Sequence, residues 1–166
     1  AETLTGDARK GAVELKEALT HLSKTHDGPS IDVILMGSAG EELLSGIDGL
    51  RPHDRGFVSD PIDAARLYAA ADLFVCPSLQ DNLPNTLLEA SACGTASIVF
   101  DGSGSLETIE DGLTGAVVRL GDAAAFGERI ASLIAEPIGL NAMGQAARGR
   151  AEALYSDARM ADDYLD

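Results

Sequence analysis

Short apolar runs alternate with longer helical patterns along this chain, and no other feature restricts its fold as much. Ile31 to Met36, Asp72 to Cys76 and Ser97 to Phe100 are nearly continuous apolar stretches, as strands buried on both faces must be. Gly56-Phe57-Val58 and Ala116 to Val118 read as two further short strands. Between them lie helical patterns. From about Lys10 to Lys24, Leu15, Ala18, Leu19 and Leu22 fall on one helix face. Asp60-Pro61 opens a helix with Ile62, Ala65 and Ala69 inward, and Pro84 to Cys93 forms another closed by Gly94. Ser105 to Glu110 makes one or two helical turns. Asp122 caps a helix carrying Phe126, Ile130, Leu133 and Ile134, and Leu140, Met143, Ala147, Ala151 and Leu154 stripe the last one. The pattern predicts an α/β, three-layer Rossmann-like domain with a parallel sheet of four or five strands. Such a domain normally begins with a strand, yet this chain opens into a helix. The first strand is therefore expected upstream of Ala1.

At 166 residues the chain has the size of one domain, and it carries no repeat or low-complexity linker. Acids outnumber bases by 27 to 12, a net charge of −15. A nucleic-acid face needs a basic surplus, and an anionic membrane would repel this surface. Only three basic residues are Lys; a salt-adapted host and an Arg-preferring one explain this equally well. Cys76 and Cys93 lie among apolar or small residues and suit thiols in a reducing compartment. No stretch approaches the roughly 18 apolar residues of a membrane span, and Ala1 to Asp7 lacks the zones of a signal peptide. A cytoplasmic domain is expected.

Ligands of open α/β sheets bind beyond the carboxyl ends of the strands. Those loops follow Met36, Val58, Cys76 and Phe100. Gly37-Ser38-Ala39-Gly40-Glu41 fits a phosphate cradle or an ordinary tight turn, and Asp101-Gly102-Ser103-Gly104 is equally open. The loop after Cys76 says more. It runs through Gln80-Asp81-Asn82-Leu83 into a helix beginning near Pro84. A helix start exposes unpaired N–H groups and the positive end of the dipole, both favourable to phosphate. Asp81 and Glu89 could bracket a polyol phosphate from either side, or be two solvated acids. Spacing alone does not choose between these.

The run Ala70-Ala71-Asp72-Leu73-Phe74-Val75-Cys76-Pro77-Ser78, followed by Asn82-Leu83-Pro84-Asn85-Thr86-Leu87-Leu88-Glu89-Ala90-Ser91-Ala92-Cys93-Gly94, strongly resembles the family 4 nucleotide-sugar glycosyltransferases. These are retaining enzymes of the GT-B fold, whose signature is a Glu, seven residues, then a Glu before a small-residue helix end. Arg9-Lys10-Gly11, Ile34-Leu35-Met36-Gly37, Arg55-Gly56-Phe57-Val58, Asp101-Gly102-Ser103-Gly104 through Glu107, and Asp111-Gly112-Leu113-Thr114-Gly115 are similar to further family segments, in the same order.

The resemblance implies the C-terminal, donor-binding half of a GT-B enzyme, with the N-terminal acceptor domain outside this chain. It assigns Glu89 to the ribose hydroxyls and Lys10 to the diphosphate. Asp81 would stand near the donor sugar or its phosphate. The backbone of Asn82, Leu83, Pro84, Asn85, Thr86 and Leu87 would meet sugar and diphosphate. The strand-end loop at Gly37 would border the pocket, and the backbone near Phe57 and Val58 the base. The donor would be a UDP- or GDP-sugar, with no cofactor and no metal. The partners would be the nucleotide sugar and the missing N-terminal domain, which would also carry any peripheral membrane association.

Two departures from the pattern matter. Asp81 replaces the first Glu of the pair, shortening its reach by about 1.5 Å, one carbon–carbon bond. Leu4 stands where many members have an Arg, so that either Lys10 and helix N–H groups suffice or Arg9 substitutes. His53 is read as a general base or, more simply, a solvated loop residue. No His or Cys pair has metal-ligand spacing, no G-x-S-x-G elbow appears, and the acid cluster of a receiver domain is missing. The expected activity is sugar transfer from a nucleoside diphosphate to a glycan or lipid-linked acceptor, in polysaccharide biosynthesis. The alternative is a non-catalytic binding module of the same fold, with Asp81 marking lost activity.

Overall fold

The computed structural model describes residues 8–37, 41–81, 84–102 and 104–155. Five strands, β1 (Ile31–Leu35), β2 (Leu50–Asp54), β3 (Leu73–Cys76), β4 (Ala96–Phe100) and β5 (Gly115–Val118), alternate with helices. The helices are α1 (Ala12–Thr25), α2 (Pro61–Ala70), α3 (Asn85–Ala92), α4 (Ala123–Ile134) and α5 (Pro137–Leu154). Every strand pairing is parallel, as the helical crossovers require.

The expected single sheet is divided. β1 pairs with β2, while β3, β4 and β5 form a separate piece in that order. In a doubly wound sheet the strand order runs outward in both directions from the first strand. One apolar core nevertheless spans both pieces, joining Leu35 of β1 to Ile98 and Phe100 of β4 and to helices α1, α4 and α5.

β4 is the fully buried strand, with all five residues inaccessible. Phe100 meets Phe126 of α4 at 4.4 Å between ring centroids. The expected inner face of α1 is the observed one: Leu15, Ala18, Leu19 and Leu22 are all buried. Asp60 caps α2, its Oδ1 accepting from Ile62 N–H at 2.7 Å, and Asp122 caps α4 through Ala125 N–H at 3.0 Å.

Four expectations are corrected. No strand forms at Gly56-Phe57-Val58; the second strand is Leu50–Asp54. Its Arg-Pro-His-Asp run shows no apolar pattern because β2 is an edge strand with mostly exposed side chains. An edge also tolerates Pro52, which lacks a ladder donor. Asp54 Oδ1 then accepts from Gly56 N–H at 2.8 Å and turns the chain. β1 is not buried on both faces: Asp32 is exposed and pairs with Arg51 and His53 of β2 at 2.7 Å each. On α2 the buried residue is Tyr68, whereas Ile62 and Ala69 face outward. Finally, α1 does not start at Lys10. Ala8–Lys10 is a 3-10 turn, and Gly11, at φ 71°, separates it from the helix.

α1 packs on α4 where Gly127 faces the backbone of the opposite helix; a β-carbon there would collide with the Ala18 carbonyl. On helix propensity alone, Gly→Ala inside a helix is favourable by about 1 kcal/mol. Overpacking costs more, about 1–3 kcal/mol. Gly127→Ala should therefore lower the urea midpoint. Gly149→Ala, at an exposed position of α5 where nothing lies within 4 Å, should raise it. Equal shifts in the two variants would show that the α1–α4 contact does not limit packing.

Candidate functional site

The loops leaving β1, β2 and β3 border a cleft of about 740 Å³. Backbone ties fix its walls. Arg9 C=O accepts from Leu79 N–H at 2.7 Å and from Gln80 N–H at 3.3 Å, joining the turn before α1 to the loop after β3. A β-carbon on Gly11 would strike the Pro77 carbonyl, so glycine permits both this approach and the positive φ. Gly104 N–H donates to the Asp81 carbonyl at 2.6 Å and adds the loop after β4. Gly37 N–H donates to Gly56 C=O at 2.7 Å and joins the ends of β1 and β2.

Residues 71 apart thereby meet. Lys10 Nζ donates to Asp81 Oδ2 at 2.8 Å, with about a fifth of each side chain exposed. On the same cleft lie Val58, Pro84, Asn85, Thr86 and Glu89. α3 starts at Asn85, with Pro84 preceding it and supplying no side-chain cap. Glu89 is held in turn: Tyr68 Oη donates to Glu89 Oε2 at 3.0 Å. Burial, and then the neighbouring carboxylate, push the Tyr68 phenol far above its ordinary range. It is a neutral donor at any physiological pH.

Several predicted site residues lie elsewhere. Leu87 is inaccessible and packs with Cys76, Val99 and Ile109, and its N–H donates to Pro84 C=O at 2.9 Å. Gly37 is buried and Phe57 is 75% exposed, and neither lines the cleft. Asn82, Leu83, Leu4 and Ser38 to Gly40 lie outside the described residues. His53 does not line the cleft; its bond to Asp32, aided by Arg51, holds that carboxyl below the usual range. Asp101 is structural, accepting from Leu120 N–H at 2.8 Å.

The sequence reading missed Tyr68, Met36, Asp60 and Cys93, which line the cleft. The single aromatic residue of α2 was the available signal for Tyr68. Nothing in the spacing linked it to Glu89. Among the described residues no three His, Cys, Asp or Glu side chains converge to hold a metal, and no helix is long and apolar enough to cross a membrane.

Residues 3–136 match a family model described as glycosyl transferases group 1. The alpha-maltose-1-phosphate synthase of Mycobacterium tuberculosis is 36% identical over 106 residues, covering 60% of this chain and 27% of that protein. The chain thus spans about a quarter of that relative's length. Among solved structures, Anabaena Alr3699/HepE in complex with UDP-glucose superposes with a TM-score of 0.75 at 19% identity, over 96% of this chain and 46% of that one. The C-terminal domain of a group 1 family glycosyl transferase (LpcC) from Francisella tularensis gives 0.74 at 22% identity, over 94% of this chain and 83% of that one. The fold is that of one half of a GT-B glycosyltransferase.

Cys93 offers a probe of the cleft. Burial raises its thiol above the ordinary value, with Glu89 adding to the effect. The reactive thiolate is therefore scarcer at pH 8 than in a free cysteine. Iodoacetamide should label Cys93 more slowly than a free cysteine at pH 8, with the rise in rate displaced to higher pH than a free thiol's, and well ahead of the buried Cys76. Cys93 labelling with the pH profile of a free thiol would contradict this environment.

Proposed function

Because this chain belongs to the group 1 glycosyltransferases, we propose that it is the donor-binding half of a retaining enzyme. That enzyme transfers a sugar from a UDP- or GDP-sugar to a glycan or lipid-linked acceptor. The observation that carries the reading is the placement of one cation and two carboxylates, Lys10, Asp81 and Glu89, around a single cleft that also takes the start of α3. The complex of Alr3699/HepE with UDP-glucose supports a nucleotide sugar as donor.

In this reading the diphosphate lies between Lys10 and the first turn of α3. A cation and helix N–H groups stabilise the negative charge that grows as the sugar–phosphate bond breaks. Glu89, an acceptor-only carboxylate when ionised, takes the ribose hydroxyls. Val58 borders the base, with Phe57 beside it. Asp81 faces the sugar, where the acceptor attacks from the side that the diphosphate leaves. Lys10 is bonded to Asp81 before any donor arrives, so the phosphate must share or displace that pairing. The acceptor site falls to an N-terminal domain outside this chain, in keeping with the modest share of its relatives that the chain covers. By itself the 166-residue chain binds donor and does not turn over. The free thiols Cys76 and Cys93 fit a reducing, cytoplasmic setting.

Titration calorimetry with UDP and GDP sugars should show weak binding of one class. Glu89→Ala should abolish most of it, because each charge-assisted hydrogen bond contributes roughly 1.5–3 kcal/mol. Equal binding by wild type and Glu89→Ala would remove Glu89 from the site.

Asp81 separates the enzyme from a non-catalytic module, the reading favoured by its replacement of the family Glu. A contact made mainly in the transition state lowers turnover without weakening ground-state binding. In the complete enzyme, Asp81→Asn should cut turnover about 10²-fold, or about 2.7 kcal/mol of barrier, while UDP binds at least as tightly, because Lys10 loses the carboxylate that competes with phosphate. Unchanged turnover would favour the binding module.

A further inference from the structure

Tyr68 is the buried residue of α2 and is 4% exposed. Its ring is fixed from several sides. Phe74 of β3 meets it edge-on at 5.5 Å and 80° between planes. Its own carbonyl accepts from Thr95 Oγ1 at 2.7 Å and from Ala71 N–H at 3.1 Å, which anchors the helix end beneath the ring. From this seat the hydroxyl reaches the cleft and donates to Glu89 Oε2. Glu89 lies on a different helix, 21 residues further along the chain.

A glutamate side chain in a cleft samples several rotamers, and each hydrogen bond it makes to a ligand must offset that lost freedom. A rigid donor on one oxygen removes the cost in advance and directs the other oxygen outward. We propose that Tyr68 is a positioning residue that holds the Glu89 carboxylate by Oε2, so that Oε1 meets the ribose hydroxyls of a nucleoside diphosphate. Discrimination between ribose and deoxyribose is then set by Tyr68 as well as by Glu89. This rests on Glu89 being the ribose-binding residue of the proposed function.

The test is a double-mutant cycle on the 166-residue chain, using wild type, Tyr68→Phe, Glu89→Ala and the double variant. Each is titrated with UDP, GDP and their 2′-deoxy counterparts, with circular dichroism verifying the fold. Tyr68→Phe keeps the ring contact with Phe74 and removes only the hydroxyl. It should weaken the preferred ribonucleotide about five- to tenfold and its 2′-deoxy counterpart, which keeps only the 3′-hydroxyl, clearly less, so that the preference for ribose falls. The double variant should bind no more weakly than Glu89→Ala.

If Glu89→Ala binds like wild type, or if neither nucleotide binds wild type at millimolar concentration, the nucleotide reading fails and the inference goes with it. If Glu89→Ala binds weakly while Tyr68→Phe keeps full affinity and full ribose preference, the nucleotide reading stands and the positioning role is overturned. Equal losses for ribo- and deoxyribonucleotide in Tyr68→Phe, or losses additive with Glu89→Ala, also overturn it, because they indicate packing alone. Should Tyr68→Phe not fold, tyrosine-labelled NMR decides. The Tyr68 ring-carbon signal should shift on UDP addition to wild type and not in Glu89→Ala, and an unmoved signal in nucleotide-saturated wild type would refute the proposal.

Discussion

The Arg9 carbonyl, shared by the N–H groups of Leu79 and Gln80, is the contact on which the cleft depends. It holds the start of α1 against the loop leaving β3, and Gly11 lets the two backbones come that close. Side-chain contacts alone would not secure the geometry, because lysine is long and flexible and loses rotamer entropy when fixed. With the backbone tied first, Lys10 needs only a short reach to Asp81. A residue with a β-carbon at position 11 would collide with Pro77 and also carry a strained positive φ. The Lys-Gly pair is thus one device: the glycine places the chain and the lysine supplies the charge.

Charge in the cleft is organised against an acidic background. The chain carries 27 acidic and 12 basic residues, so a phosphate approaching it meets net repulsion at long range. Local attraction must therefore come from few groups at short distance, where solvent screens least. Lys10 and the first turn of α3 fill that place. Asp81 partly neutralises Lys10 in the ligand-free protein, which keeps a half-buried cation satisfied. Tyr68 does the corresponding work for Glu89 on the other side, so Lys10 and Glu89 each have a partner before a ligand arrives.

Legibility varied with burial. α1, α4 and β4 could be read because their inner residues are apolar at helical or strand spacing, and tertiary packing preserved that pattern. β2 could not. It is an edge strand with exposed side chains, held to β1 by backbone pairing that leaves no apolar signal. α2 was found from its Asp-Pro start, but its inner face was misjudged. Small alanines share both faces, and the single large inward residue was the polar-tipped Tyr68. Of the candidate site, the loop from Asp81 into α3 was legible from motif and helix-start chemistry. The pairing partners were not, because they join segments that spacing cannot relate.

From its residues alone, the chain determined an α/β alternation, a buried parallel strand at Ser97 to Phe100, and a helix beginning near Pro84 with Glu89 more than one turn inside it; the structure adds Ala96 to the strand and starts the helix at Asn85. These follow from local rules: apolar period, proline geometry and capping act within a few residues. Only the tertiary structure decided that Lys10 lies on Asp81, that Tyr68 holds Glu89, that Leu87 turns into the core, and that the strands divide into two pieces. Each of those depends on how crossovers bring distant segments together. A hydrogen bond between residues 71 or 21 positions apart is set by the packing of whole helices on strands, and no local pattern encodes it.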